Sequence, residues 1–233
     1  MKALIFAAGL GERMRPLTDA TPKPLLKVAG KPLIVWHLDK LAAIGVREVV
    51  INTSWLADQF PASLGDGRRW GLSLHYSFEG PQPLETGGGM WRALDLLGDA
   101  PFIAVNGDIW STVDYAGLPQ APQAEAHLVL VDNPDHNPRG DFVLDADGRV
   151  HSEGEQRLTF AGVGVYRGAL LADWRTVIGA APGAESTPPR FKLAPLLRAA
   201  MGRGAVTGQH HRGRWTDVGT PERLAQLDAA LRR

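Results

Sequence analysis

Apolar residues along this chain fall into short unbroken runs and stripes spaced three and four residues apart. Residues 2–8 form a nearly continuous apolar run that stops at Gly9, the pattern of a strand buried on both faces of a parallel sheet. Over residues 32–44, Leu33, Trp36, His37, Lys40, Leu41 and Ile44 recur at helical spacing, and Gly45 follows. This predicts a helix ended by a glycine. Residues 46–53, 72–77 and 101–105 read as further strands. Residues 55–64 and 87–97 read as helices, the second with Met90, Leu94 and Leu97 on one face. Alternating strands and helices predict an α/β fold, a sheet with crossover helices on both sides. Ligands of such sheets bind beyond the carboxyl ends of strands, where Gly9 and Asp108 fall.

The second half is less regular. Strands are expected at 126–131, around Phe142 and Val150, and at 160–166, and helices at 192–201 and 221–231. Residues 133–140 are a polar, proline-containing loop, and residues 179–190 lack a core pattern and are expected to be mobile. No repeat, low-complexity tract or linker interrupts the chain, which predicts one domain over 1–233.

Composition changes this picture by exclusion. Lys plus Arg and Asp plus Glu are each 25, so no global charge attracts nucleic acid or an anionic membrane. Phosphate chemistry must then come from a local site. With no cysteine, disulfides, thiolate nucleophiles and Cys-ligated metals are excluded, which suits a cytoplasmic protein. The apolar run at 3–8 is too short for a membrane span or signal-peptide core.

The richest segment is Ala7-Ala8-Gly9-Leu10-Gly11-Glu12-Arg13-Met14-Arg15-Pro16, followed by Thr21-Pro22-Lys23-Pro24. A glycine-rich turn after a strand presents backbone N–H groups to phosphates without side chains in the way. Arg13 supplies a planar fork for phosphate oxygens, and Lys23 a compact charge between prolines. Arg15 is either a second phosphate ligand or solvent-facing. The phosphate motif G-x-x-x-x-G-K-[S/T] is absent, and G-x-G-x-x-G fails because Met14 stands at its third glycine. The acid expected after the second strand is also missing, since that strand ends in Asn52-Thr53, which argues against a dinucleotide-binding dehydrogenase.

Asp108 follows a buried strand and a glycine, and Asp217 lies far along the chain in Trp215-Thr216-Asp217-Val218-Gly219-Thr220. Mg²⁺ takes one or two carboxylates plus phosphate oxygens and water, and two aspartates at strand ends meet that need. Each also has a structural alternative: a turn residue for Asp108, and for the Asp217 string a helix capped by Thr220 with Pro221 at its first position. Thr86-Gly87-Gly88-Gly89 opens a helix with three glycines, each costing about 1 kcal/mol relative to alanine. Lack of Cβ lets a nucleobase lie against this backbone; tight packing on a neighbouring strand is the alternative.

The strings G-L-G-E-R-M-R-P-L-T at 9–18 and T-P-K-P-L-L-K-V-A-G-K-P-L at 21–33 resemble the signature of the sugar-phosphate nucleotidyltransferases. The likeness continues through P-L-E-T-G-G-G at 83–89, V-N-G-D at 105–108, F-K-L-A-P-L-L at 191–197 and W-T-D-V-G-T-P-E-R at 215–223. It covers nearly the whole chain. The resemblance implies a Rossmann-like, GT-A-like three-layer α/β/α fold with a mostly parallel mixed sheet. It also implies a nucleotide-binding half at 1–110 and a sugar-binding half at 111–233.

By the same resemblance, Ala8, Gly9, Gly11, Glu12, Arg13, Lys23, Thr86 and Gly88 bind nucleotide, and Arg13, Lys23 and Asp108 are catalytic. Asn106, Asp141 and Lys192 contact the sugar phosphate, with Lys192 facing a phosphate or an acceptor carboxylate. Asp108 and Asp217 hold Mg²⁺. The nearest likeness within the family implies UTP and N-acetylmuramate 1-phosphate as substrates, in cell-wall recycling; the sequence leaves the oligomeric state open, with a monomer compatible. Two positions depart from the family: Glu85 stands where many members have a small residue, and no lysine lies near Glu153. Rival readings are transfer from UTP, dTTP, GTP or CTP to another acceptor on the same scaffold, or a non-catalytic nucleotide-binding module.

The implied reaction is in-line attack of the sugar phosphate on the α-phosphorus. A phosphate of second pKa about 6 is already largely ionised near neutral pH and needs no general base. None is evident among the seven scattered histidines. Motion on closure is expected for residues 11–21 and 133–140.

Overall fold

The computed structural model describes residues 1–232. The first half contains β1 (Lys2–Phe6), α1 (Leu17–Ala20), β2 (Lys27–Val28), β3 (Lys31–Pro32), α2 (Leu33–Ala43), β4 (Glu48–Thr53) and α3 (Gln59–Leu64). It continues with β5 (Ser73–Phe78), α4 (Glu85–Leu97), β6 (Phe102–Asn106) and β7 (Ile109–Ser111). The second half contains β8 (Ala126–Val131), β9 (Phe142–Leu144), β10 (Val150–His151), β11 (Arg157–Tyr166) and α5 (Trp174–Ile178). It ends with α6 (Ala194–Gly202), β12 (Val206–His211), β13 (Trp215–Asp217) and α7 (Pro221–Leu231).

Nine strands form one mixed sheet in the order β10-β9-β11-β6-β1-β4-β5, with β8 pairing β11 and β12. Strands β6, β1, β4 and β5 are parallel. Strand β11 runs antiparallel to β6 and joins the two halves of the chain. The apolar run at 3–5 is fully buried because both its faces are covered. Ala3 and Ile5 pack with Leu38 and Leu41 of α2 and Phe60 and Leu64 of α3. Leu4, on the opposite face, packs with Met90, Ala93 and Leu97 of α4 and Leu196 and Leu197 of α6. This is the three-layer α/β/α arrangement the apolar runs predict. A third cluster joins Met14, Val28, Leu33, Trp110, Val218 and Leu227, and it clamps the glycine-rich loop between α2, β7 and α7.

The differences from expectation are local. Strand β1 ends at Phe6 because the Ala7 N–H donates to Asn52 Oδ1 at 2.6 Å rather than to a strand ladder. The helix expected at 55–64 begins only at Gln59, after Leu56 takes a left-handed φ of 49°. Strand β12 departs from expectation, since Thr207-Gly208-Gln209-His210-His211 has no strand-like alternation. Backbone pairing with β8 carries that segment into the sheet.

The segment expected to be mobile is tied down at its end. Arg190 N–H donates to Gly183 O at 2.9 Å, and Phe191 N–H to Leu84 O at 3.1 Å. The Phe191 ring stacks on Trp174 at 4.5 Å with planes 7° apart. These anchors are mainly backbone groups, so an apolar pattern does not reveal them.

Candidate active site

Three strands deliver the site: β1, β4 and β6 end side by side, and their parallel register places Phe6 beside Asn52 and Asn106. The glycine-rich loop leaves β1 under a chain of buried hydrogen bonds. Asn52 accepts from Ala7 N–H and donates to Glu79 Oε1 at 2.6 Å. Glu79 Oε2 accepts from Leu84 N–H at 2.7 Å, just before α4. Burial pushes the Glu79 carboxyl above the usual carboxylate range, against the two hydrogen bonds it accepts. Further along, Gly11 adopts φ 67° and a Cβ there would lie 2.8 Å from Thr18 Cγ2. Thr18 Oγ1 donates to Gly11 O at 2.8 Å, and Met14 N–H to the same oxygen at 2.8 Å. The turn therefore needs glycine for both its hand and its space. It leaves Arg13 exposed on a cavity wall while Met14 is fully buried.

The cavity measures about 620 Å³, within the usual range for a small-molecule site. Its walls include Ala8, Gly9, Gly11, Glu12, Arg13, Lys23, Thr86, Asn106 and Asp108, all expected as site residues. Lys23, nearly buried, donates to Asp108 Oδ2 at 2.6 Å. Arg15 is solvent-facing and pairs with Asp19. Asn106 has Gly162 of β11 against it: at φ 73°, a Cβ on Gly162 would lie 2.7 Å from Asn106 Nδ2.

Asp108 and Asp217 do come together. Strand β13 pairs antiparallel with β7, setting Asp217 opposite Ile109, and Val218 N–H donates to Asp108 O at 2.8 Å. Asp217 Oδ1 accepts from Arg223 Nη1 at 3.1 Å and lies 2.8 Å from His136 Nε2. Thr220 caps α7 by accepting from Arg223 N–H, so the structural reading of that string holds beside the chemical one. Among the described residues no three His, Cys, Asp or Glu side chains converge as a metal cage. Asp108, in the turn just before β7, and Asp217, at the end of β13 which pairs with β7, are two hard carboxylates that fit a divalent ion whose remaining ligands are phosphate oxygens and water.

Four expected residues are not on the cavity wall: Gly88, Asp141, Lys192 and Asp217, the last held beside it where β13 pairs with β7. Gly88 is not on its wall: a Cβ there would lie 2.5 Å from Pro189 O, and its N–H already donates to Phe191 O at 3.0 Å. Gly87 and Gly89 are likewise pressed by Phe191 and by Glu79 and Asn52. Tight packing against the rest of the chain, the alternative offered by the sequence, is present at all three glycines. Asp141 accepts from Asn137 Nδ2 and from Phe160 N–H, and its carboxylate holds the 137–141 turn on β11. Lys192 is exposed between buried Phe191 and Leu193.

The cavity also shows what sequence reasoning passed over: Asn52, Glu79, Gln82 and Arg190 line it, together with Glu85, noted there only as a departure from the family. A buried-strand run ending in a polar residue, as at Asn52, was the available signal. Arg190 carried none. Nearby, His37 is fully enclosed, its ring 2.9 Å from both Tyr115 OH and Ile109 O, and burial lowers its pKa to about 4. It is a neutral core histidine that braces β7.

A glycine-rich loop under Arg13, with a lysine–aspartate pair at the next strand end, defines a phosphate-handling α/β site. The chain belongs to the family described as nucleotidyl transferase, which matches residues 2–159. Over nearly its full length it is 49% identical to the N-acetylmuramate alpha-1-phosphate uridylyltransferase of Neisseria meningitidis serogroup B, covering 98% of this chain and 97% of that protein. The protein of the same name from Caulobacter vibrioides is 36% identical, covering 98% and 96%. In fold, the chain superposes on a putative glucose-1-phosphate thymidylyltransferase from Bacillus anthracis with TM-score 0.81 and 22% identity, covering 100% of this chain and 95% of that one. No helix among the described residues is long and apolar enough to cross a membrane.

Proposed function

We propose that this enzyme transfers UMP from UTP to N-acetylmuramate 1-phosphate, releasing pyrophosphate and forming UDP-N-acetylmuramate in cytoplasmic peptidoglycan recycling. The observation that carries the substrate choice is the near full-length identity to the Neisseria uridylyltransferase. The wall of one cavity, where the glycine loop, Arg13, Lys23, Asn106 and Asp108 meet, supports the chemistry.

An oxygen of the acceptor phosphate attacks the α-phosphorus of UTP. The bond from that phosphorus to the oxygen bridging the α- and β-phosphates breaks, and this oxygen leaves with pyrophosphate. The attacking phosphate, with second pKa about 6, is already ionised, and no histidine lines the cavity among the described residues. The chain's part is alignment and charge neutralisation. Arg13, on the wall and without an ion pair among the described residues, binds the triphosphate oxygens with its planar fork. Lys23 Nζ, 2.6 Å from Asp108, brings a second positive charge to the reacting phosphates. Asn106 and Thr86 orient the sugar and nucleoside through polar contacts. Asp108 and Asp217 would hold Mg²⁺, which would neutralise charge building on the phosphates.

The test is pyrophosphate release with Mg²⁺, crossing UTP, dTTP, GTP and CTP with the 1-phosphates of N-acetylmuramate, N-acetylglucosamine, glucose and mannose. Release with UTP and N-acetylmuramate 1-phosphate is expected. Release with a different pair keeps the mechanism and replaces the substrates. Folded protein that binds nucleotide and releases pyrophosphate with no pair is a binding module instead.

A further inference from the structure

We propose that Arg190 reads a carboxylate that the acceptor sugar carries beyond its phosphate, and that Glu85 occupies that position until the sugar arrives. This deepens the acceptor assignment above and rests on it.

Arg190 lines the cavity together with Gln82, Pro83, Glu85 and Thr86. Its backbone is fixed from both sides: its own N–H donates to Gly183 O, and the next residue's N–H to Leu84 O. The guanidinium is less fully engaged. Nη2 donates to Glu85 Oε1 at 3.1 Å, and buried Nε has no partner. An arginine fork has five donors suited to a carboxylate or phosphate, and here one intramolecular bond occupies it. The partly exposed pair, with side-chain exposures of 39% and 35%, is open to exchange.

Glu85 is the second observation. Its φ is 64°, a left-handed conformation that glycine adopts freely and a longer side chain does not. The chain nevertheless places a carboxylate there, aimed at Arg190. A carboxylate held in a strained backbone, against an arginine on a substrate wall, marks where an incoming carboxylate fits. One anion exchanged for another preserves the arginine's charge balance and fork geometry. A neutral hexose has no group to make that exchange. N-acetylmuramate differs from N-acetylglucosamine by an ether-linked lactyl group ending in a carboxylate, which supplies one. Lys192, the basic residue first expected in this role, is exposed and off the wall, and Arg190 replaces it.

The experiment measures calorimetric binding of UDP, UDP-N-acetylglucosamine and UDP-N-acetylmuramate to the wild type, Arg190→Gln and Arg190→Lys, with thermal melts to establish folding. The shared UDP anchors all three, so their differences isolate the sugar and then the lactyl group. Loss of one charge-assisted bond is expected to weaken UDP-N-acetylmuramate by about 10- to 100-fold in Arg190→Gln. The other two ligands should change less than about twofold, and Arg190→Lys should recover part of the loss. Equal weakening of all three ligands would make Arg190 a phosphate or nucleotide contact and overturn the inference. So would unchanged binding, or a wild type that does not distinguish the two sugars. A wild type that binds UDP but neither UDP-sugar defeats the acceptor assignment itself.

Discussion

Replacing Asn52 by Asp tests whether the buried chain from Ala7 through Asn52 and Glu79 to Leu84 sets the glycine loop. Asn52 and Glu79 are 2% and 4% exposed. The substitution keeps an acceptor for the Ala7 N–H but turns the donor 2.6 Å from Glu79 Oε1 into an oxygen. A hydrogen bond to a charged group contributes about 1.5–3 kcal/mol. In a protein of this length about 2 kcal/mol lowers Tm by about 4–8 °C. The sign with pH follows from Glu79, whose folded pKa lies above its ordinary value of 4.5, chiefly through burial. The folded protein holds that proton more tightly than the unfolded chain. Its contribution is therefore full below the ordinary value and is lost as pH rises through the folded one. A second carboxyl in contact raises the folded value further, because the two groups share a proton. The Tm deficit of Asn52→Asp should be small at about pH 5 and full at about pH 8. Adding Glu79→Gln to the same variant returns a donor facing the new carboxylate and keeps an acceptor for the Leu84 N–H, so it should recover most of the deficit. Circular-dichroism melts at both pH values check this. A pH-independent deficit, or a double variant no more stable than Asn52→Asp alone, refutes the reasoning.

Further outcomes follow from the same geometry. Arg13→Ala should lower turnover by about 10²- to 10³-fold with Tm unchanged, because the side chain is exposed; near-normal pyrophosphate release would remove Arg13 from the chemistry. Asp108→Ala should abolish measurable release while secondary structure by circular dichroism stays intact. Stripping divalent ions with EDTA should stop pyrophosphate release, and added Mg²⁺ should restore it; full activity in EDTA would discard the metal role of Asp108 and Asp217. Gly88→Ala forces a methyl to 2.5 Å from Pro189 O, so stability should fall by about 1–3 kcal/mol in denaturant melts.

The sequence reveals parts of this molecule whose cause is local. Strand β1 is legible because Ala3, Leu4 and Ile5 are all buried, one face under α2 and the other under α4. The glycine-rich loop on the cavity wall is legible because its turn needs glycine at Gly11 and exposes Arg13 beside it. Asp108 is legible because it follows a buried strand at the edge where such sheets bind ligands. Strand β12 is not, because its partner strand, not its own side chains, holds it in place.

The glycine run at 87–89 shows how one sequence observation admits two causes. Missing Cβ atoms do signal a close approach, but sequence does not say what approaches. Here the neighbours are Phe191, Pro189 and the Asn52–Glu79 pair, all from elsewhere in the chain. The same packing that removes Gly88 from the wall fixes Leu84 O and the Gly87 and Gly88 N–H groups against Phe191, and so carries Arg190 to the cavity. Glu85, first noticed as a departure from the family, then acquires a partner. The glycines are crowded by the chain itself, and their bare backbone is what allows the strap bearing Arg190 to lie close enough to reach one edge of the site.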